Sequence, residues 1–106
     1  MGNGKYVEFT YDLIQSDDKA LRYNAATALG MVKNKRSKEI LYHVLKNDHM
    51  YLPRYGAAMA LVELKDADIV NTIRDMVKEG ELPPGLLTEV IEKLGDVNSL
   101  PTKPRS

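Results

Sequence analysis

The stretch LRYNAATALG, residues 21–30, returns 32 positions later as PRYGAAMALV, residues 53–62. Across 22–33 and 54–65, seven of twelve positions are identical: Arg22/Arg54, Tyr23/Tyr55, Ala25/Ala57, Ala26/Ala58, Ala28/Ala60, Leu29/Leu61 and Lys33/Lys65. No metal, phosphate or nucleophile chemistry uses that set. A repeated structural unit does: alanines at helical spacing let a helix lie close to its copy, and the leucine fills the seam. The repeat is therefore read as architecture first.

Working outward, the apolar spacing predicts six helices and no strand. Residues 5–15 form the first, with Phe9 and Leu13 one turn apart on its core face. Ser16, Asp17 and Asp18 supply capping residues for 19–32, where Leu21, Ala25, Ala28, Leu29 and Val32 make an amphipathic stripe. KNKR at 33–36 reads as a connector, with Ser37 capping a helix over 38–47 that carries Leu41, Val44 and Leu45. Asn47 and Asp48 stop it. Pro53 sits in the first turn of the next helix, where a missing N–H costs little, and Ala57, Ala60, Leu61 and Leu64 line its inner face. Asp66 or Asp68 caps a fifth helix bearing Ile69, Ile73, Met76 and Val77, ended by Gly80. Pro84 opens the last, about 84–94, with Leu87, Val90, Ile91 and Leu94, and Gly95 closes it. The expected organisation is one domain over 1–95 and a flexible tail over 96–106, where DVNSLPTKPRS lacks periodicity and holds two prolines.

The 32-residue shift also relates the other helices. Leu41 falls on Phe9 and Ile73, and Leu45 on Leu13 and Val77, so two helix types alternate through three cycles. The last copy keeps the apolar spacing but loses Arg-Tyr-x-x-Ala-Ala, as a capping repeat does. Paired helices at this period mean an α-solenoid, and the landmarks of tetratricopeptide and ankyrin repeats are missing. The sequence resembles the HEAT-like repeat family first named from phycobilin lyase subunits. Its typical unit has an acidic turn, Val-Arg-x-x-Ala-Ala-x-Ala-Leu-Gly, a connector, and a second helix with paired leucines. Here Asp17 and Asp18 precede LRYNAATALG, and KEILYHVLKND follows; in the second copy Pro53 and Val62 depart from the pattern. The resemblance covers about residues 8–95 and implies an all-α, short right-handed αα solenoid. It implies structural roles for Arg22, Ala25, Leu29, Arg54, Ala57 and Leu61, and only by the family's name a bilin lyase or phycobilisome-related accessory factor.

Composition narrows the chemistry. With 15 Lys/Arg and 15 Asp/Glu the net charge is zero, which removes the general electrostatic case for nucleic acid. Lys33, Lys35, Arg36 and Lys38 cluster in one connector, the feature behind an alternative reading as a nucleic-acid-binding solenoid. The equivalent connector reads Lys65, Asp66, Ala67, Asp68, so the basic surface does not propagate. There are no cysteines. Of two histidines, His43 has Glu39 one turn away, a pair more common on solvated faces than at metals. MGNGK lacks the frame of a phosphate-binding loop. The di-iron HEAT-like hydroxylases use His-Glu dipeptides, which are absent. The expectation is a non-enzyme without metal or cofactor. Without a leader-like start or a run long enough for a bilayer, it is expected to be cytoplasmic and to have no membrane partner.

Arg22 and Arg54 allow two readings, anion ligands on one edge or partners of a neighbouring acidic turn, and the second is favoured. Tyr23 and Tyr55 read as packed between units with wet hydroxyls. The repeat register then isolates an exception. Glu39, His43 and Lys46 point away from the core, and their equivalents Asn71, Asp75 and Lys78 are also polar. In the first helix the same positions are Val7, Tyr11 and Ile14. A helix apolar on two faces is covered on both. Two covers are open: a partner or second copy of the chain, or the chain's own ends, including Val97 and Leu100. The functional expectation is a protein-interaction or scaffold module, also able to self-associate. Val7, Tyr11 and Ile14 form its contact face, and Tyr42, His43, Lys46, Arg74 and Lys78 its polar rim.

Overall fold

A computed structural model describes residues 9–98 of the chain. Among these, six segments are helical and none is a strand. They are α1 (9–14), α2 (Lys19–Leu29), α3 (Lys35–Asn47), α4 (Tyr51–Glu63), α5 (Asp68–Lys78) and α6 (Pro84–Asn98). The chain divides into two compact units, one ending at Leu64 and one beginning at Lys65.

In the first unit, α2 packs along α4, and α3 also packs on α4. The repeated segments are therefore neighbouring helices. Ala25, Ala26 and Leu29 of α2 and Ala57, Ala58, Ala60 and Leu61 of α4 are buried. Two glycines set how closely they approach. A Cβ placed on Gly30 would lie 2.9 Å from both Cα and Cβ of Ala60. One placed on Gly56 would lie 2.7 Å from the Tyr23 ring. Backbone lies almost on side-chain methyl, a separation that only small residues permit. Leu41, Val44 and Leu45 of α3 complete this core. In the second unit α5 packs on α6, and Ile69, Ile73, Met76, Leu82, Leu86 and Val90 are buried.

Helix boundaries follow local chemistry. Asp18 caps α2, its Oδ1 accepting from the Ala20 N–H at 2.8 Å. Asp66 Oδ1 accepts from the Asp68 N–H at 3.1 Å, while Ala67 occupies the cap position of α5. Pro84 opens α6. Lys65, just past α4, takes a left-handed conformation at φ 60°, and Gly80 does the same past α5 at φ 78°.

Several expectations are corrected. α3 begins at Lys35, so KNKR is not all connector, and the cap is Asn34 rather than Ser37. Asn34 Oδ1 accepts from the Ser37 N–H at 2.8 Å, and Ser37 lies buried inside the helix. α6 runs through Gly95 to Asn98, into the segment assigned to the tail, because glycine in ordinary helical geometry weakens a helix without ending it. Its buried line is Leu86 and Val90, while Ile91 is exposed. The expected inward face of α2 holds at Ala25 and Leu29 but not at its start. Leu21 is 41% exposed, and Arg22 is buried instead, drawn inward by Asp48. α1 is turned: Phe9 is 63% exposed and Thr10 only 3%. Phe9 is therefore not a core residue, and Leu13 is half-buried.

Candidate functional site

The arginines of the repeat are the first candidates, and their geometry is structural. Arg22 Nε and Nη2 donate to Asp48 Oδ2 and Oδ1 at 2.8 and 3.1 Å, while Nη1 donates to the Ser16 carbonyl at 2.9 Å. The two side chains are 9% and 8% exposed. Asp48 Oδ1 also accepts from the Met50 N–H at 2.9 Å. Arg54 Nε donates to the Asp48 carbonyl. Each repeat arginine thus holds the carbonyl six residues before it, and Arg22 adds a forked pair to the following turn. Burial alone would push the Asp48 carboxyl up. The Arg22 hydrogen bonds, the Met50 N–H and the nearby positive charge outweigh it, so the group titrates below the ordinary carboxylate range. The bond to Asp48 correspondingly raises Arg22, against a smaller opposing effect of burial.

A second feature is concave. A groove of about 460 Å³ runs between α1 and α3, lined by Tyr11, Ile14, Gln15, Glu39, Ile40, His43, Val44, Asn47 and Asp48. The α3 positions 39, 40, 43, 44 and 47 form one helix face, and Asp48 follows at its end. Ile40 and Val44 are buried and, with half-buried Ile14, make an apolar floor. Glu39, His43 and Asn47 are exposed beside it. Asn47 Nδ2 donates to the His43 carbonyl at 3.0 Å and lies 3.3 Å from His43 Nδ1, which steadies that edge. Tyr11, 39% exposed, sits with Arg36 of α3 over its ring, 5.7 Å from the centroid. That contact and the apolar floor account for the turned α1: Tyr11 and Ile14 face α3 and leave Phe9 outside.

Of the predicted contact residues, the groove brings Tyr11, Ile14 and His43 together. Val7 lies outside the described residues, as do Leu100 and the end of the tail. Tyr42 and Lys46 do not line the groove; Tyr42 is half-buried, with the Lys46 ammonium 5.7 Å from its ring centroid. Arg74 and Lys78 are exposed on α5 in the second unit, and Arg74 Nη1 donates to Asn71 Oδ1 at 2.9 Å. Sequence reasoning missed Gln15, Ile40, Asn47 and Asp48 as lining residues and took Val44 only for core. The period of α3 held the signal, since 39, 43 and 47 follow at i, i+4, i+8.

Among the described residues, no group of three or more His, Cys, Asp or Glu is placed to hold a metal, and no helix is long and apolar enough to cross a membrane. Neither a curated protein nor a solved structure matches the chain. A family model described as HEAT repeats matches residues 1–61, which include the groove, the first copy of the repeated helix and most of the second. HEAT repeats generally mediate protein–protein interaction and are typically non-enzymatic scaffolds. The 32-residue repeat, the paired helices around an alanine seam and that match together place this chain in the HEAT repeat family.

Proposed function

We propose that the chain is a non-catalytic protein-interaction module whose contact surface is the groove between α1 and α3. The observation that supports this most directly is the groove itself. Its apolar floor of Ile14, Ile40 and Val44 lies beside an exposed polar edge of Glu39, His43 and Asn47. An apolar strip bordered by polar groups suits side chains that arrive from another polypeptide, because floor burial supplies affinity and the edge fixes orientation. Nothing in the lining resembles a nucleophile with its base, or a metal set. Tyr42 and Lys46 stand outside the groove, and Arg74 and Lys78 belong to the second unit, so none of the four is part of the proposed surface.

The test uses a photoreactive residue. Replacing Tyr11 with benzoylphenylalanine should yield a discrete covalent adduct in an extract of the source cells. The adduct should vanish when Ile14→Lys is added, while circular dichroism stays helical. An adduct of twice the chain's mass identifies a second copy as the partner. No adduct, or one that survives Ile14→Lys in a folded protein, overturns the assignment of this groove.

A further inference from the structure

The packing of α2 along α4 shows which sides of the repeated helix meet. On α4 the contact runs through Gly56 and Ala60, and on α2 through Tyr23 and Gly30. A helix of this type therefore has a receiving side, on which the next copy lies, and a seating side, which lies on the copy before. The seating side of α4 is covered: Pro53, Gly56 and Ala60 are all buried. Its counterparts in α2, 32 residues earlier, are Leu21, Asn24 and Ala28. Leu21 and Asn24 are exposed and Ala28 is half-buried. Just past the helix, Met31 adds an apolar side chain that is 77% exposed.

The second unit carries the other half of such a contact. Leu86 and Val90 of α6, two repeat lengths beyond Arg22 and Ala26, are buried as those residues are, so the register extends into α6. The receiving side then falls on Leu87, Ile91 and Leu94, the counterparts of Tyr23, Thr27 and Gly30. These three follow at i, i+4 and i+7 and make one stripe. Ile91 is 45% exposed, and Leu87 and Leu94 are half-buried. A repeat that ends a stack in water carries a polar outer face. Both of these sides are mainly apolar instead. Charge complements them. The unit Met1–Leu64 holds nine Lys/Arg and seven Asp/Glu, a balance of +2, and the unit Lys65–Ser106 holds six and eight, a balance of −2.

We propose that the chain assembles head to tail with a second copy of itself. The seating side of α2 in one copy, through Leu21, Ala28 and Met31, packs on the receiving side of α6 in the other, through Leu87, Ile91 and Leu94. The contact repeats between chains the way α4 lies on α2 within one. It buries apolar surface on both partners and brings a positive unit to a negative one. Two different surfaces meet, so a dimer still offers one of each, and further copies add until the assembly closes on itself. Pairing through α2 on both copies fits less well, because it sets two positive units together. The face is separate from the groove between α1 and α3, and neither set of residues overlaps the other.

Sedimentation equilibrium of the full chain over a range of concentrations tests this. The wild-type mass should rise with concentration. Leu21→Lys and Ile91→Glu, both at exposed positions, should keep their helical circular dichroism and each weaken association by about tenfold or more, since either sets a charge into an apolar contact. Mixed in equal amounts, the two variants should form a dimer and nothing larger, because one retains an intact α6 side and the other an intact α2 side. Ile14→Lys, which alters only the groove, should leave the association unchanged. A second measurement serves if a charged variant does not fold. The chain has no cysteine, so Leu21→Cys and Ile91→Cys proteins mixed under oxidation should give a disulfide dimer holding one of each. Asp75→Cys, exposed on α5, should cross-link with neither. A wild type that stays monomeric throughout, undiminished association of either folded charged variant alone, or a preference for Leu21→Cys pairing with itself would overturn the proposal.

Discussion

Removing Arg22 should cost this small protein a large part of its stability, and the amount follows from the geometry. Its guanidinium makes two bonds to Asp48 and one to the Ser16 carbonyl, with both charged side chains less than a tenth exposed. Arg22→Met keeps much of the apolar stem but strands the Asp48 carboxylate, which retains the Met50 N–H. Breaking a buried pair by removing one partner costs ~3–5 kcal/mol, and that remaining bond places this case near the lower end, about 3 kcal/mol. Asp48→Asn leaves Arg22 its Ser16 carbonyl and should cost about 2 kcal/mol. The double variant Arg22→Met/Asp48→Leu removes both charges together and should be more stable than the sum predicts, by ~1.5 kcal/mol or more. Urea denaturation followed by circular dichroism measures all three. Acid provides an independent check of sign. Asp48 titrates below its ordinary value in the folded protein, so its contribution is complete above the unfolded value, ~4, and is lost as pH falls through the lower folded one. The gap between wild type and Arg22→Met should therefore be full at neutral pH and close below about pH 4. Additive single costs together with a gap that persists in acid would refute the assignment of the pair as the tie between the two turns.

The glycines and one buried hydroxyl give further tests. Gly30→Ala should destabilise by ~1–3 kcal/mol despite better helix propensity, because the new methyl meets the Ala60 backbone at 2.9 Å. Gly95→Ala, with nothing within 4 Å and ordinary helical geometry, should instead gain ~0.5–1 kcal/mol, and thermal melts of the pair read the opposite signs. Ser37 Oγ is fully buried and has no hydrogen-bond partner among the described residues, so Ser37→Ala should raise stability by about 1 kcal/mol in the same assay.

Much of the fold was legible because its signals are local or repeated. The order of helices, the Asp18 cap, Pro53 in a first turn, Pro84 at a start and Asp48 at an end each follow from residues within one turn of the boundary. The misplaced residues Phe9 and Leu21 had another origin. Hydrophobic periodicity assigns Leu21 inward and Arg22 outward, and nothing nearby reverses that. The carboxylate that brings Arg22 inside lies 26 residues further along the chain. Phe9 failed in the same way, since the contacts that turn α1 come from Arg36, Ile40 and Val44. The α3 cap went to Ser37 because a serine beside an apolar run resembles a cap, whereas Asn34 begins the helix one turn earlier. At the candidate groove, comparing repeats selected Tyr11, Ile14 and His43, a comparison that needs no coordinates. The remaining lining residues required knowing how α1 sits beside α3.

The bonds from Arg22 to the Ser16 carbonyl and from Arg54 to the Asp48 carbonyl span the same six residues. A residue inserted between carbonyl and arginine would carry the guanidinium about 100° round its helix, away from its acceptor. Those two turns therefore have a fixed length, and loop redesign, tags or grafted sequence there would unfasten the repeat. Among the described residues, no arginine is tied to a carbonyl six residues before it across 30–34 or 64–67, so these are the places where the chain should tolerate lengthening. The acidic turns thus serve as the measured edge of each repeat, and insertions that survive selection or engineering should collect on the opposite edge.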